Sequence, residues 1–257
     1  MIVPFAPGGI NDTVARPLAE RMRTSLGNVV VENRAGAGGT IGAAVVARAE
    51  PDGNTLLLGS AATHIVGPLV TTAPGYDPVK DFAPVGIIAV SGLAIAVHPS
   101  LPVKTLQTFI AFARDRPNQL SYASAGAGSA THLGGELFKS LARLPSLSHV
   151  PYRGGGPATA DLLGGHVPVG VLNISGQMIE YHRAGRLRIL AVTTTKRAGS
   201  ASEIPTAIES GLRDMVALNF AGLLLPAATP AATVERISNA LRAAIADKAL
   251  VLSLIHI

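Results

Sequence analysis

The hydrophobic positions of the chain change repeatedly between short runs typical of strands and a spacing typical of helices. The apolar run Ile2–Phe5 predicts a first strand. Apolar residues then recur at every fourth position from Val14 to Leu26, and Gly27 follows directly. This pattern predicts a helix that begins near Asp12 and stops at the glycine, whose backbone freedom suits a helix end.

The same alternation continues along the chain and predicts its architecture. Further strands are predicted at 29–32, 55–59, 82–90, 93–97, 120–123, 167–172, 187–192 and 220–225, and further helices at 40–49, 106–114, 129–141, 157–163, 178–184 and 233–246. Strands that alternate with helices of this length favour an α/β fold of doubly wound, parallel sheets. Pro99 and Pro102 indicate a crossing into a second unit, and the chain returns to the first near residue 220. We therefore expect two lobes, 1–98 with 222–257 and 99–221.

A glycine-rich turn, Pro7–Gly9, joins the first strand to the first helix. Such a turn leaves backbone N–H groups and the positive end of the helix dipole at the carboxyl end of the strand, which favours an anion site. Asp12 is predicted as the N-cap, a role that is more common for such a residue than contact with an amine. An ordinary strand-to-helix turn explains the same residues, so both interpretations stay open here.

A second glycine-rich turn, 124–133, again leads from a strand into a helix, which Ser129 or Thr131 can cap. Ligands of open α/β sheets bind outside the carboxyl ends of the strands, and both turns are predicted to lie there. Two such turns far apart in sequence suit a ligand with two anionic ends, or one held between two lobes.

Composition excludes several classes of function. The chain has 257 residues, 48% hydrophobic and 14% charged, which is typical of a globular protein. Aromatic residues make up only 4%, so a carbohydrate or base-stacking platform is not expected. The net charge is +5, but the basic residues are scattered and predict no nucleic-acid-binding arm. There is no cysteine, and the longest apolar run, Val85–Val97, is too short to span a membrane.

The sequence offers little for catalysis or cofactors. The glycine cluster at 36–42 fails the dinucleotide pattern because its third glycine is replaced by Ile41. Ser129 lacks the flanking glycines of a nucleophile elbow. A Ser129–His132–Asp161 triad is an alternative, although a cap and a surface histidine explain the first two residues more simply. The histidines are dispersed and predict no metal site, with His64 and His132 as candidate hydrogen-bond donors to a ligand.

The chain resembles the substrate-binding receptors of tripartite tricarboxylate transporters, also called Bug receptors. The resemblance rests on short segments that follow one another in the family's order and cover nearly the whole chain. These segments are 4–16, 32–39, 51–56, 76–82, 124–129, 149–154, 163–167, 184–188, 190–193 and 204–206.

The resemblance implies a two-lobed periplasmic binding protein of the type II topology, a monomer that is not an enzyme. It would carry a small carboxylate to the permease subunits of a membrane transporter, without cofactor, metal or nucleic acid. In the family the carboxylate is held by backbone amides, hydroxyls and ordered waters, without an arginine clamp. The residues that would line the cleft are Phe5, Pro7, Gly8, Gly9, Asp12, Ser60 and Thr63 in one lobe, and Ser124, Gly126, Ser129, Thr131, His132, Tyr152, Gly155 and Asn173 in the other.

Three features depart from the family pattern. A secretion leader does not precede Val3, Ile10 stands where the family usually has a small residue, and Val251–Ile257 match no family segment. We therefore expect a fragment cut at both ends. Two other functions remain as alternatives: a hydrolase- or transferase-like enzyme that uses Ser129 and His132, and an orphan sensor that feeds a signalling protein.

Overall fold

A computed structural model describes residues 1–247, so the expectation for Val251–Ile257 lies outside the described residues. The chain divides into two compact units. One comprises Met1–Val90 with the described residues from Phe220 onward, and the other comprises Ser91–Asn219. Within residues 1–247, no helix is both long and apolar enough to cross a membrane.

The first unit is a mixed sheet with helices. Its strands are β1 (Ile2–Val3), β2 (Glu32–Asn33), β3 (Leu57–Ser60) and parts of β4 (Phe82–Val97) and β9 (Leu218–Pro226). Its helices are α1 (Ile10–Leu26), α2 (Thr40–Ala47), α3 (Gly67–Val70) and α8 (Ala231–Ile245), with a 3-10 turn at Ala37–Gly39 and a π-helical turn at Ala62–Val66. Strand β1 lies between β2 and β3 and is parallel to both, whereas β9 is antiparallel to β3.

The second unit repeats this arrangement. It adds strands β5 (Ser121–Ser124), β6 (Ser148–Pro151), β7 (Val169–Asn173) and β8 (Arg188–Val192). Its helices are α4 (Leu106–Arg114), α5 (Ala130–Ala142), α6 (Gly155–Leu163) and α7 (Gly176–Arg183), and a 3-10 turn covers Gly199–Ala201. Strands β6, β5 and β7 are parallel neighbours, while β4 is antiparallel to β7 and β8.

Alternation along β4 explains why the second unit has two apolar layers. Leu93 and Ile95 belong to one buried cluster, together with Phe109 of α4, whereas Ala94 belongs to a second cluster with Leu162 of α6. Successive side chains of a strand point to opposite faces, so a strand covered on both faces must be apolar throughout. The predicted α/β fold with two lobes is confirmed, but its sheets are mixed and not fully parallel.

One strand prediction is wrong. The sequence predicts two strands, 82–90 and 93–97, whereas β4 is continuous through Ser91 and Gly92. Gly92 is held in the sheet because its carbonyl accepts from Ile174 N–H, and a Cβ at that position would lie 2.5 Å from a Thr194 methyl. The boundaries between the two compact units fall inside β4 and β9, at 90/91 and 219/220. The sequence places them at 98/99, from Pro99 and Pro102, and at 221/222, from the return of the chain near residue 220.

Candidate functional site

The candidate site residues of the first unit lie at the carboxyl ends of the parallel strands β1 and β3. Helix α1 begins on Gly9 as its N-cap, without a side-chain cap. The N–H groups at the start of such a helix have no acceptor within the helix. Gly8 has a φ of +78°, which favours glycine and lets the chain turn directly from β1 into α1.

Asp12 closes this turn from inside the helix, so the prediction that it is the N-cap is wrong. Its carboxylate accepts from Gly8 N–H at 3.0 Å, from Arg16 Nε at 2.9 Å and from Asn33 Nδ2 at 3.0 Å. Burial opposes ionisation of Asp12, but the hydrogen bonds from Arg16, Gly8 and Asn33 outweigh it and hold the pKa of the carboxyl below its ordinary value. Asp12 is therefore an ionised anchor of the glycine turn.

Phe5, Thr63 and Gly39 pack together beside this turn. A Cβ on Gly39 would lie 3.0 Å from the Phe5 ring and 3.1 Å from the Thr63 methyl. Gly39 is also the N-cap of α2, again without a side-chain cap, at a φ of +100°. The glycine cluster that fails the dinucleotide pattern thus brings a second helix N-terminus next to Phe5 and Thr63. The spacing of the glycines along the sequence does not predict this packing.

Ser60, the last residue of β3, is held by Thr63. Thr63 Oγ1 accepts from Ser60 N–H at 2.9 Å and donates to Ser60 O at 3.0 Å, and it also contacts His64 Nδ1 at 2.9 Å. Ser60 Oγ is buried and has no hydrogen-bond partner among the described residues. Burial lowers the pKa of His64 to about 4, so this imidazole is neutral at physiological pH. Pro7, by contrast, is exposed.

The candidate residues of the second unit also lie at strand ends. Ser124 ends β5, Tyr152 follows β6 and Asn173 ends β7. Because β5 is parallel to both β6 and β7, these three ends lie at the same edge of the sheet. Tyr152 N–H donates to Ser124 O, and a Cβ at Gly126 would lie 2.8 Å from Tyr152 O, so the two turns approach closely.

The hydroxyls of this second turn are bonded to the turn itself. Ser129 is the N-cap of α5, as predicted, and its Oγ accepts from His132 N–H at 3.1 Å. Thr131 Oγ1 accepts from Ala125 N–H at 2.8 Å and lies 2.8 Å from Ser129 Oγ. These buried side chains therefore shape the turn, and the N–H groups of the first turn of α5 that Ser129 does not cap have no acceptor within the helix.

Sequence reasoning missed His149, which orients Ser124. Ser124 Oγ lies 2.7 Å from His149 Nε2 and accepts from Gly126 N–H at 3.1 Å. The His149 ring stacks on His132, with centroids 4.2 Å apart, and on Tyr122, with centroids 5.0 Å apart. Burial lowers the pKa of His149 to about 4, and electrostatic repulsion from the neighbouring His132 adds to this effect. Ser124 and His149 are 25 residues apart, and only the pairing of β5 with β6 brings them together.

The contacts of Ser129, His132 and Asp161 do not form a catalytic triad. His132 Nδ1 accepts from Gly128 N–H at 3.2 Å, while Ser129 contacts the backbone of His132 and not its ring. Asp161 accepts from the Tyr152 hydroxyl at 2.7 Å instead. The hydroxyl of a serine nucleophile must hydrogen-bond to the imidazole of its general base. Ser129, His132 and Asp161 lack this arrangement.

The remaining candidates are Gly155 and Asn173. Gly155 begins α6, whose N-cap Gly154 has no side-chain cap. Asn173 Oδ1 is buried without a hydrogen-bond partner in the described part of the chain. No group of three or more His, Cys, Asp or Glu residues that could hold a metal ion occurs within residues 1–247.

Comparison with known proteins gives a consistent result. Residues 14–256 match the model of the tripartite tricarboxylate transporter family receptor. The chain is 36% identical to protein BugT of Bordetella pertussis over 98% of its own length and 77% of that protein. Its structure is similar to that of the periplasmic binding protein BugD, with 35% identity, a TM-score of 0.95, and coverage of 100% of this chain and 85% of that one.

Two similar structures contain ligands. MatC from Rhodopseudomonas palustris, with malate bound, has a TM-score of 0.92 and 31% identity over 98% of this chain and 86% of that one. A second R. palustris protein, with adipate bound, has a TM-score of 0.91 and 34% identity over 99% of this chain and 85% of that one. The family match and these similarities cover nearly the whole chain. The chain therefore belongs to the tripartite tricarboxylate transporter receptor family.

Proposed function

We propose that this protein is a periplasmic receptor that binds a small carboxylate and delivers it to a tripartite tricarboxylate-type membrane transporter. The observation that carries the proposal is the start of α1. A 17-residue helix begins there on Gly9, without a side-chain cap, at the carboxyl end of β1. Membership of the receptor family supports the solute-receptor role, and the malate and adipate held by two relatives support the carboxylate class.

Backbone amides are the binding groups in this proposal. The first turn of α1 and the first turn of α5 each contribute N–H groups that have no acceptor within the helix. The positive end of a helix dipole favours a negative charge by about 0.3–1 kcal/mol. We propose that carboxylate oxygens of the ligand accept from the N–H groups of the first turn of α1, and that the first turn of α5 provides a second set of donors of the same kind.

The proposal assigns supporting roles to most of the polar side chains. Asp12 is committed to Gly8, Arg16 and Asn33, and Ser124 is committed to His149 and Gly126. These side chains fix the turns whose amides bind. A receptor function also agrees with the contacts of Ser129 and His132, which lack the arrangement of a nucleophile with its base.

A thermal-shift screen tests the carboxylate class. We expect a rise in melting temperature with a mono-, di- or tricarboxylate, and none with agmatine or cadaverine, amines that carry no carboxylate, at equal ionic strength. At 100 times the dissociation constant a ligand adds about 2.7 kcal/mol to the free energy of unfolding. For a chain of this size that corresponds to a rise of roughly 5–10 °C. A rise with these amines alone, or no rise with any carboxylate, would contradict the proposal.

A further inference from the structure

Asn11 is a buried polar residue in the first turn of α1 whose side-chain oxygen has no hydrogen-bond partner among the described residues. Asn11 is one of the buried residues of this helix and is only 3% exposed. Buried polar atoms in native proteins are paired in the great majority of cases, because an unpaired one is costly. An atom from outside the chain is therefore expected to pair with this amide.

The neighbouring Asp12 is not available to pair with a ligand group. Asp12 is the acidic residue of the first turn of α1, and hydrogen bonds from Gly8, Arg16 and Asn33 occupy its carboxylate. Asn11 thus combines two independent observations, an uncapped helix N-terminus and an unpaired, buried polar side chain. Together they make a site that can bind an anionic group and, beside it, a polar group of another kind.

The charge at this site favours a hydroxyl over an ammonium as that second group. An ammonium needs an anion beside it, but Asp12 is already paired with Arg16 at 2.9 Å. The N-terminus of α1 carries partial positive charge, which disfavours a cation further. A hydroxyl is neutral, can donate to Asn11 Oδ1, and can accept from a neighbouring N–H group.

We propose that Asn11 binds a hydroxyl group of the solute, so that the solute is a hydroxycarboxylate whose carboxylate lies at the first turn of α1. This inference rests on the proposed function and narrows its ligand class. A site that pairs a buried amide with a ligand hydroxyl discriminates against the analogue that lacks it, because the amide is then left unpaired.

Calorimetric titration with matched pairs of ligands tests the inference. The pairs are malate with succinate, 2-hydroxyglutarate with glutarate, lactate with propionate, and citrate with tricarballylate. For the pair that binds best, we expect the hydroxylated member to bind the wild type about tenfold or more tightly than its partner. Asn11→Ala and Asn11→Leu should bring this ratio close to one. Asn28→Ala, a substitution at an exposed asparagine of the same unit, should leave it unchanged.

Each result separates the inference from the proposed function. If the wild type binds carboxylates but prefers the members without a hydroxyl, or binds both equally, the role of Asn11 is wrong and the receptor proposal stands. If the wild type binds no carboxylate, both fail. Should neither Asn11 variant fold, the wild-type ratio still decides, and Asn11→Ser, which keeps a polar side chain, should retain part of the preference.

Discussion

Replacement of Asp12 by alanine is expected to abolish most carboxylate binding, although Asp12 itself touches no ligand in this account. The substitution leaves Gly8 N–H, Arg16 and Asn33 Nδ2 without their shared acceptor. Loss of hydrogen bonds to a charged group costs about 1.5–3 kcal/mol each, and part of this cost is recovered because Arg16 is half-exposed. We expect the free energy of unfolding to fall by about 2–4 kcal/mol and the dissociation constant to rise about 100-fold.

Calorimetric titration together with thermal unfolding measures both effects of Asp12→Ala. Asp115→Asn, at an exposed position after α4, is the matched control and should behave as the wild type. Asp12→Asn keeps the shape of the side chain but not its charge, and should fall between the wild type and Asp12→Ala. Wild-type affinity in Asp12→Ala would show that the glycine turn does not need this anchor, contrary to the account.

Replacement of Gly135 by alanine is expected to destabilise the second unit. A Cβ at Gly135 would lie 2.2 Å from Tyr122 Cε2, well inside contact distance. Tyr122 is fully buried, its ring stacks on His149, and its hydroxyl donates to Glu136 at 2.7 Å. Alanine gains about 1 kcal/mol in helix propensity over glycine, but forced overpacking costs typically about 1–3 kcal/mol or more.

We therefore expect Gly135→Ala to lower the free energy of unfolding by about 2 kcal/mol, a drop of roughly 4–8 °C in melting temperature. Binding should weaken as well, because displacement of Tyr122 disturbs the stack that positions His149 against Ser124. Gly199→Ala is the control, since a Cβ there meets no atom within 4 Å and its backbone needs no positive φ. A Gly135→Ala variant as stable as Gly199→Ala would contradict the packing described.

The sequence predicts the elements well where the signal is local. Helix α4 has the predicted bounds, Leu106–Arg114, because its apolar spacing lies within one short segment. The same holds for the two glycine turns, whose strand, turn and helix signals follow each other directly. Ser91 and Gly92 mislead because small residues are typical of turns, although here a central strand buried on both faces accommodates them.

The chemistry of the candidate site depends on contacts that no local pattern encodes. Asp12 meets Asn33 from 21 residues away, and Ser124 meets His149 from 25 residues away, so each pair forms only when parallel strands align. In the sequence, Asn11 is an ordinary polar residue at the start of a helix. Its burial is evident only in the folded chain. Strand ends with small or polar residues indicate where a ligand site lies, but tertiary contacts decide which side chains remain available.

The measurement that tests the central claim most directly is an amide NMR titration of the ¹⁵N-labelled protein with the carboxylate that gives the largest thermal shift. The account predicts saturable shifts, with one common dissociation constant, for the amides of Gly9–Asp12, where α1 begins. Saturable shifts elsewhere in the chain that leave these amides unmoved would contradict the claim that the N-terminus of α1 binds the carboxylate.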